Sequence, residues 1–406
     1  MTVLPAAEWR DRPGLRRIVA ALTADGGAVK IVGGAVRDTL LDLPVTDIDL
    51  ATPLLPGEVT RRLEAADVKV IPTGIAHGTV TAIASGDHHE ITTLRRDVET
   101  DGRRATIAFA DDWRDDAARR DFTINALYAD PDSGAVDDWF GGLADLDAGR
   151  VAFIGDPATR IAEDHLRILR FYRFAARFGR GALDAVSHAA VVTARQSLKS
   201  LSRERIADEL LKILSLPDPR AAVGQMAADG IFEVLLPERD AGFVAAFDRL
   251  VANEETAGVA VAPLRRLAAL LPADAAIAEQ VASRLRLSTR QRKHLAALGG
   301  RRADNARPVR QLAHAIGVDA ARDVHLLADD AASAKAAVAA LSGWTVPEMP
   351  LKGGDIVARG IAVGPEVARI LKAVEAEWVE EDFPDAARVA ELVAQLVDQK
   401  IGRASD

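Results

Sequence analysis

The sequence predicts an α+β chain: a head with a small mixed β-sheet and helices, followed by an all-α neck, body and tail. Three observations carry this. Up to about Ala144, short β-branched runs alternate with helical patterns. From Asp156 onward, apolar residues recur at helical spacing with few breaks. Ala is abundant and aromatics are 4% of the chain, which favours helices packed through small residues over a large β-sandwich.

The elements follow in order. Ala28–Val32 is a β-branched run ending in Gly33-Gly34, and Ala35–Leu43 reads as a short helix closed by Pro44. Thr46–Thr52 alternates as a strand, and Glu58–Ala66 reads as a helix. Gly78–Ala84 and His88–Leu94 read as strands joined by a Ser85-Gly86-Asp87 turn. Arg95–Asp116 is polar and reads as a loop. Phe122–Tyr128 is apolar, and Asp130–Gly134 is a turn before a further strand. Pro157 suits a first helical turn, and Ile161–Phe178 reads as one helix. Later breaks fall near Leu216–Pro219, Asn253–Pro263, Arg301–Pro308 and Trp344–Gly354, with Ala331–Leu341 a closely packed helix. The expected domains are residues 1–150, 151–220, 221–343 and 344–406.

A chain of 406 residues exceeds one ordinary core. It holds no cysteine, which excludes disulfides and thiolate metal sites and suits a cytoplasmic location. No leader pattern opens the sequence, and no run of about 18 apolar residues spans a membrane. Net charge is −9, yet two segments are basic. Arg150–Arg220 carries 13 Lys/Arg against 8 Asp/Glu, and Val281–Arg310 carries 9 against 1. They mark either a localised polyanion track or two solvated helical faces.

Asp47 and Asp49 are two apart in a predicted strand, so both carboxylates leave the same face. Two adjacent carboxylates repel unless a cation sits between them, and hard oxygen ligands suit Mg²⁺. Gly33-Gly34 follows a strand and opens a helix, where free N–H groups and close backbone approach favour a phosphate. Arg37 lies one turn in. The pattern is neither a P-loop nor a dinucleotide fingerprint.

At these residues the chain resembles the class II tRNA nucleotidyltransferase/poly(A) polymerase superfamily. The resemblance rests on Val32-Gly33-Gly34-Ala35-Val36-Arg37-Asp38 and Asp47-Ile48-Asp49-Leu50-Ala51-Thr52. It continues in Thr73–Val80, Glu90–Arg95, Arg119-Arg120-Asp121-Phe122-Thr123-Ile124-Asn125-Ala126 and Glu163-Asp164-His165-Leu166-Arg167-Ile168-Leu169-Arg170. A weaker match runs from Pro350 to Pro365.

The resemblance implies that Asp47 and Asp49 are catalytic and hold Mg²⁺; Glu90, alternating with Thr92 and Leu94 on a predicted strand, reads as a third catalytic carboxylate facing the pair or as a strand-surface charge. The resemblance also implies that Gly33, Gly34 and Arg37 meet a triphosphate, and that Arg120, Arg170 and Arg173 meet the nucleotide. Arg119 and Asp121 are open to a structural ion pair. Asp164 and Arg167, three apart in a predicted helix, would share a face. A carboxylate accepts from the exocyclic amine of C or A, and a guanidinium donates to the adjacent ring nitrogen. U and G present the opposite polarity. The other reading of this pair is a plain helical salt bridge. Steps of three turn about 60° round a helix, so Arg170, Arg173 and Arg177 are not expected to face one nucleotide together.

Within the superfamily, His77–Val80, the length of Arg95–Asp116 with its Asp101-Gly102-Arg103-Arg104, and the tail motif favour CCA addition to tRNA from CTP and ATP. Poly(A) synthesis is the runner-up, and a non-catalytic RNA-binding relative is the third reading. Arg284, Arg286, Arg290, Arg292, Lys293, Arg301 and Arg302 form a candidate tRNA track. The scattered histidines, among them His188, His294, His314 and His325, read as packing or surface residues, so no appended hydrolase domain is expected.

Overall fold

The computed structural model describes residues 2–101, 104–301, 307–328 and 330–403. The chain divides into two compact units, Met1–Leu235 and Leu236–Asp406.

The first unit is built on a sheet. Its strands are β1 (Lys30–Val32), β2 (Asp49–Thr52), β3 (Lys69–Gly74), β4 (Thr79–Ala84) and β5 (Asp87–Thr93). They are joined by β8 (Leu127–Ala129) and β9 (Val136–Asp138), in the order β3-β4-β5-β2-β1-β8-β9. The β2–β5 pair is parallel and the other neighbours are antiparallel, a mixed sheet as predicted. One face buries Ile31, Leu50, Val80, Ala82 and Ile91. Helix α1 (Pro13–Thr23) covers part of the sheet with Leu15, Ile18, Val19 and Leu22, an i, i+3, i+4, i+7 stripe. A Cβ on Gly14 would come 2.5 Å from the Ala84 carbonyl oxygen, so only glycine allows that approach. Strand β3 went unread in the sequence. It is an edge strand, largely exposed, and Pro72 breaks its pattern.

Two expectations are corrected. Arg95–Asp116 is not a loop. It contains strands β6 (Arg95–Asp101) and β7 (Arg104–Phe109), paired antiparallel, and then a short helix, Trp113–Ala118, capped by Asp112. Such a ribbon is held by backbone hydrogen bonds, so its sequence needs no apolar alternation. Gly102 and Arg103 lie outside the described residues. Nor is Ile161–Phe178 one helix. It is two, Pro157–Glu163 and Arg167–Phe178, separated at Asp164, whose backbone is extended (φ −150°, ψ 104°).

The Arg167–Phe178 helix is two-faced. Ile168, Leu169, Phe171, Tyr172 and Phe178 are buried, and Phe122, Phe153, Phe171 and Phe174 pack ring to ring. Arginines occupy its other side. The helix Arg203–Leu214 follows, capped by Ser202.

The second unit is helical, as the periodicity predicts. Its centre holds a buried charge network in which Arg265 pairs with Glu254 and Asp323 at 2.7 Å, and Arg266 with Glu254 at 2.8 Å. Two C-terminal helices, Pro365–Glu380 and Ala386–Arg403, pack around Ile370, Val374, Trp378 and Val393. Among the described residues, no helix is long and apolar enough to cross a membrane.

Candidate active site

A cleft of about 860 Å³ opens in the first unit, and its two sides differ in charge. Strand β1 delivers the chain to Gly33, whose φ of 70° lies where side chains are strained. Its N–H donates to the Leu127 carbonyl (3.0 Å), tying the turn to β8. The helix Gly34–Leu40 starts immediately after.

The acidic side is set by β2 and β5. Strand β2 begins at Asp49, so Asp47 stands just before the ladder and not within it as predicted. Both line the cleft and are exposed. The parallel register pairs Leu50 with Ile91, which sets Asp49 beside Glu90 one residue earlier on each strand. Asp49 reaches solvent at the cleft floor, yet protein surrounds most of it. That burial, with the charges of Glu90 and Asp47, pushes its carboxyl up to about 6, against the pull of Arg120. No ion pair holds Asp47, Asp49 or Glu90 among the described residues. Nor does any group of three Asp, Glu or His there come close enough to hold a metal alone. Two carboxylates completed by substrate oxygens are how Mg²⁺ is commonly bound, and this donor set fits it.

The basic side is arranged by acids. Arg120 Nε donates to the Tyr128 hydroxyl (3.0 Å), and its Nη2 to Asp116 (3.3 Å). Burial alone would raise Asp116, but Arg119 and Arg120 hold it below the usual carboxylate range. Arg170 donates to Asp121 (2.6 Å), and Arg170 with the Asn125 amide holds that buried acid down as well. Arg173 pairs with Glu209, and Arg177 with Asp38 at 3.3 Å. Arg37 is buried; it bonds Asp38 (2.7 Å) and Asn125 and lies 4.1 Å from the centre of the Phe178 ring. Burial lowers its pKa, against the opposing charge of Asp38.

All eleven residues nominated from sequence line this one cleft, from Gly33, Gly34 and Arg37 through Asp47, Asp49, Glu90 and Arg120 to Asp164, Arg167, Arg170 and Arg173. Two relations considered from the sequence do not form, and one that was not expected does. Asp164 and Arg167 make no salt bridge, because the helix breaks at Asp164. Asp164 instead accepts from Arg205 (2.7 Å) and the Leu166 N–H (3.1 Å). Arg167 donates to Glu163 and to the carbonyls of Arg160 (2.7 Å) and Arg119 (3.1 Å). Arg119 and Asp121 do not pair; Arg119 binds Asp116 (2.7 Å). Finally, Arg177 lines the cleft with Arg170 and Arg173. It follows Arg170 by seven residues, which returns it to within about 20° of that residue on the helix.

Sequence reading missed Asp38, Asn125, Phe174, Arg205 and Lys212, which also line the cleft. Arg205, Glu209 and Lys212 fall at i, i+4, i+7 of one helix, a signal that was available.

In the second unit, three of the seven residues of the candidate track are occupied. Arg284 pairs with Glu238 (2.7 Å), Arg292 with Glu279, and Arg301 donates to the Leu271 carbonyl (2.6 Å). Arg290 and Lys293 are exposed beside a separate pocket, and Arg302 lies outside the described residues.

The fold and the cleft match known proteins. Residues 29–152 match the family model of the poly A polymerase head domain, and residues 182–243 match that of a probable RNA and SrmB-binding site of polymerase A. The mouse mitochondrial CCA tRNA nucleotidyltransferase 1 is 31% identical over 383 residues, 90% of this chain and 86% of that protein. The chain belongs to the CCA tRNA nucleotidyltransferase family. Another member, the CCA-adding enzyme of Streptococcus pyogenes (strain MGAS10750), is 37% identical over 250 residues, 60% of this chain and 59% of its own. The Bacillus stearothermophilus CCA-adding enzyme, solved with CTP, superposes with a TM-score of 0.77 at 25% identity, covering 96% of this chain and all of that one. The CCA-adding enzyme of Thermotoga maritima, solved with tRNA, shares the fold at 22% identity, with a TM-score of 0.71 over 98% of this chain and 100% of its own. Membership in this nucleotidyltransferase family carries metal dependence with it.

Proposed function

We propose that this chain adds C, C and A to the 3′ end of tRNA from CTP and ATP, with no nucleic-acid template. The observation that carries it is one cleft in which uncompensated carboxylates face a row of pre-oriented arginines. The tRNA 3′-hydroxyl oxygen attacks the nucleotide α-phosphorus. A new P–O bond forms, the bond to the β-phosphate bridge breaks, pyrophosphate leaves, and the hydroxyl proton passes to solvent. Mg²⁺ is the cation we assign to Asp47 and Asp49, where it would activate the hydroxyl and neutralise the leaving pyrophosphate. Glu90 adds negative charge beside Asp49. The Gly33 turn lets phosphate approach the backbone, with Gly34, Arg37 and Arg120 alongside.

Asp164 and Arg167 are assigned to reading the base edge. Each is held separately, the carboxylate by Arg205 and the guanidinium by Glu163, and this supports a preset acceptor and donor. Arg170 and Arg173 are placed against the nucleotide. Residues 1–150 serve as the catalytic head, 151–220 as the neck, and 221–343 with 344–406 as the RNA-binding body and tail. Arg290 and Lys293 are the track residues best placed for tRNA phosphates. The relatives include mitochondrial proteins; a cytoplasmic location is the reading adopted for this chain.

The test is to incubate the protein with tRNA lacking its terminal CCA, plus CTP and ATP, and sequence the product ends. Ends in CCA support the proposal. Long A tails with CTP ignored would establish poly(A) synthesis instead, and unextended tRNA would establish the non-catalytic reading.

A further inference from the structure

Strand β5 sends two neighbouring side chains to opposite faces of the sheet. Glu90 is exposed toward the cleft, whereas His89 points inward and is 1% exposed. Among the described residues, neither ring nitrogen of His89 meets a partner in full hydrogen-bond geometry. Among the described residues, no other side chain leaves two buried polar atoms in that condition. An unpaired buried polar group is costly, so an imidazole at such a place calls for a reason. Its cross-strand neighbour, Ala82, has no polar side chain to offer.

The register supplies the reason. Leu50 pairs with Ile91, so two residues earlier on each strand Ile48 comes beside His89. The hydrogen-bonding group that the ring faces is the Ile48 backbone. Ile48 is the link between Asp47 and Asp49, and β2 begins only after it. The segment carrying both carboxylates is therefore backed by an imidazole that lies close to its carbonyl without closing on it.

We propose that His89 is a positioning residue for the cation-binding segment, its ring N–H closing on the Ile48 carbonyl when a divalent cation draws the Asp47 and Asp49 carboxylates together. This rests on the reading of Asp47 and Asp49 as cation ligands. His89 touches neither cation nor substrate. It acts through the peptide that aims the ligands, as outer-shell partners of metal ligands do.

The test is Mn²⁺ binding by calorimetry to the full chain without nucleotide, on wild type, His89→Phe, His89→Gln and Asp49→Ala, with thermal unfolding of each metal-free protein. His89→Phe keeps the volume and removes the donor. It is expected to weaken Mn²⁺ about tenfold while leaving the melting temperature unchanged or higher. His89→Gln, which restores an N–H, is expected to recover most of the affinity. Wild-type Mn²⁺ affinity in His89→Phe overturns the proposal, as does equal loss in both His89 variants. If Asp49→Ala binds Mn²⁺ like wild type, the ligand assignment itself fails, an outcome separate from the first two.

Discussion

The two sides of the cleft are built on opposite electrostatic plans. On the arginine side every charge has a nearby acid: Asp116 for Arg120, Asp121 for Arg170, Glu209 for Arg173 and Asp38 for Arg177. On the carboxylate side Asp47, Asp49 and Glu90 have no ion-pair partner among the described residues, and burial, with the charges of Glu90 and Asp47, pushes Asp49 up to about 6. A paired arginine is oriented before a ligand arrives, with donors to spare. Unpaired carboxylates in a crowded site carry a repulsion that only a proton or a cation relieves. The first arrangement suits a site that must present fixed geometry, and the second a site that must capture a metal.

Breaking the unpaired side should have the largest effect. Asp49→Asn is expected to lower the rate of nucleotide addition by about a thousandfold or more, the order of several kcal/mol supplied by metal stabilisation. Its metal-free melting temperature at pH 7 should stay level or rise, because repulsion is removed. A melting temperature that falls sharply would mean Asp49 is structural. Breaking the paired side should instead cost stability. Asp121→Asn removes the charge that orients Arg170, which lines the cleft, and is expected to destabilise the first unit by about 1–2 kcal/mol, the cost of a lost charge-assisted hydrogen bond. Denaturant unfolding checks this.

The same contrast predicts a pH dependence. Asp49 titrates higher in the folded protein than in the unfolded chain, so the folded state binds the extra proton between about pH 4 and 6. Metal-free stability from this group therefore falls as pH rises through that window. Divalent-cation affinity runs the other way and weakens as pH drops below about 6. Melting curves with and without Mg²⁺ at pH 5 and pH 7.5 check both signs; a larger Mg²⁺ effect at pH 5 would contradict them. The smallest effect is expected in the second unit. Arg290→Glu with Lys293→Glu should weaken tRNA binding at physiological salt by a few fold and flatten its salt dependence, with ATP binding unchanged.

Much of this was legible in the sequence, for reasons particular to each part. The β1 run ending at Gly33-Gly34 and the Asp47-x-Asp49 spacing are local signals, and the strand–turn–helix they predict is present. Helical periodicity likewise marked the second unit. What could not be read was non-local. The β6–β7 ribbon is backbone pairing without an apolar pattern. At Asp164 the helix breaks and its carboxylate meets Arg205, 41 residues on, whereas spacing alone made it a helical neighbour of Arg167. Partners such as Asp121 for Arg170 lie 49 residues apart, and only the fold joins them.

The claim that one cleft both transfers nucleotides and selects C and A is tested most directly by a single competition. Wild type and Asp164→Asn are each given tRNA lacking CCA and all four nucleotides at equal concentration, and the product ends are sequenced. Wild type should append only C and A. Asp164→Asn turns an acceptor into an amide with donors, and should admit U or G at the expense of roughly 1–3 kcal/mol of discrimination. Wild-type incorporation of U or G at rates like those of C and A, or an unchanged spectrum in Asp164→Asn, would contradict the account.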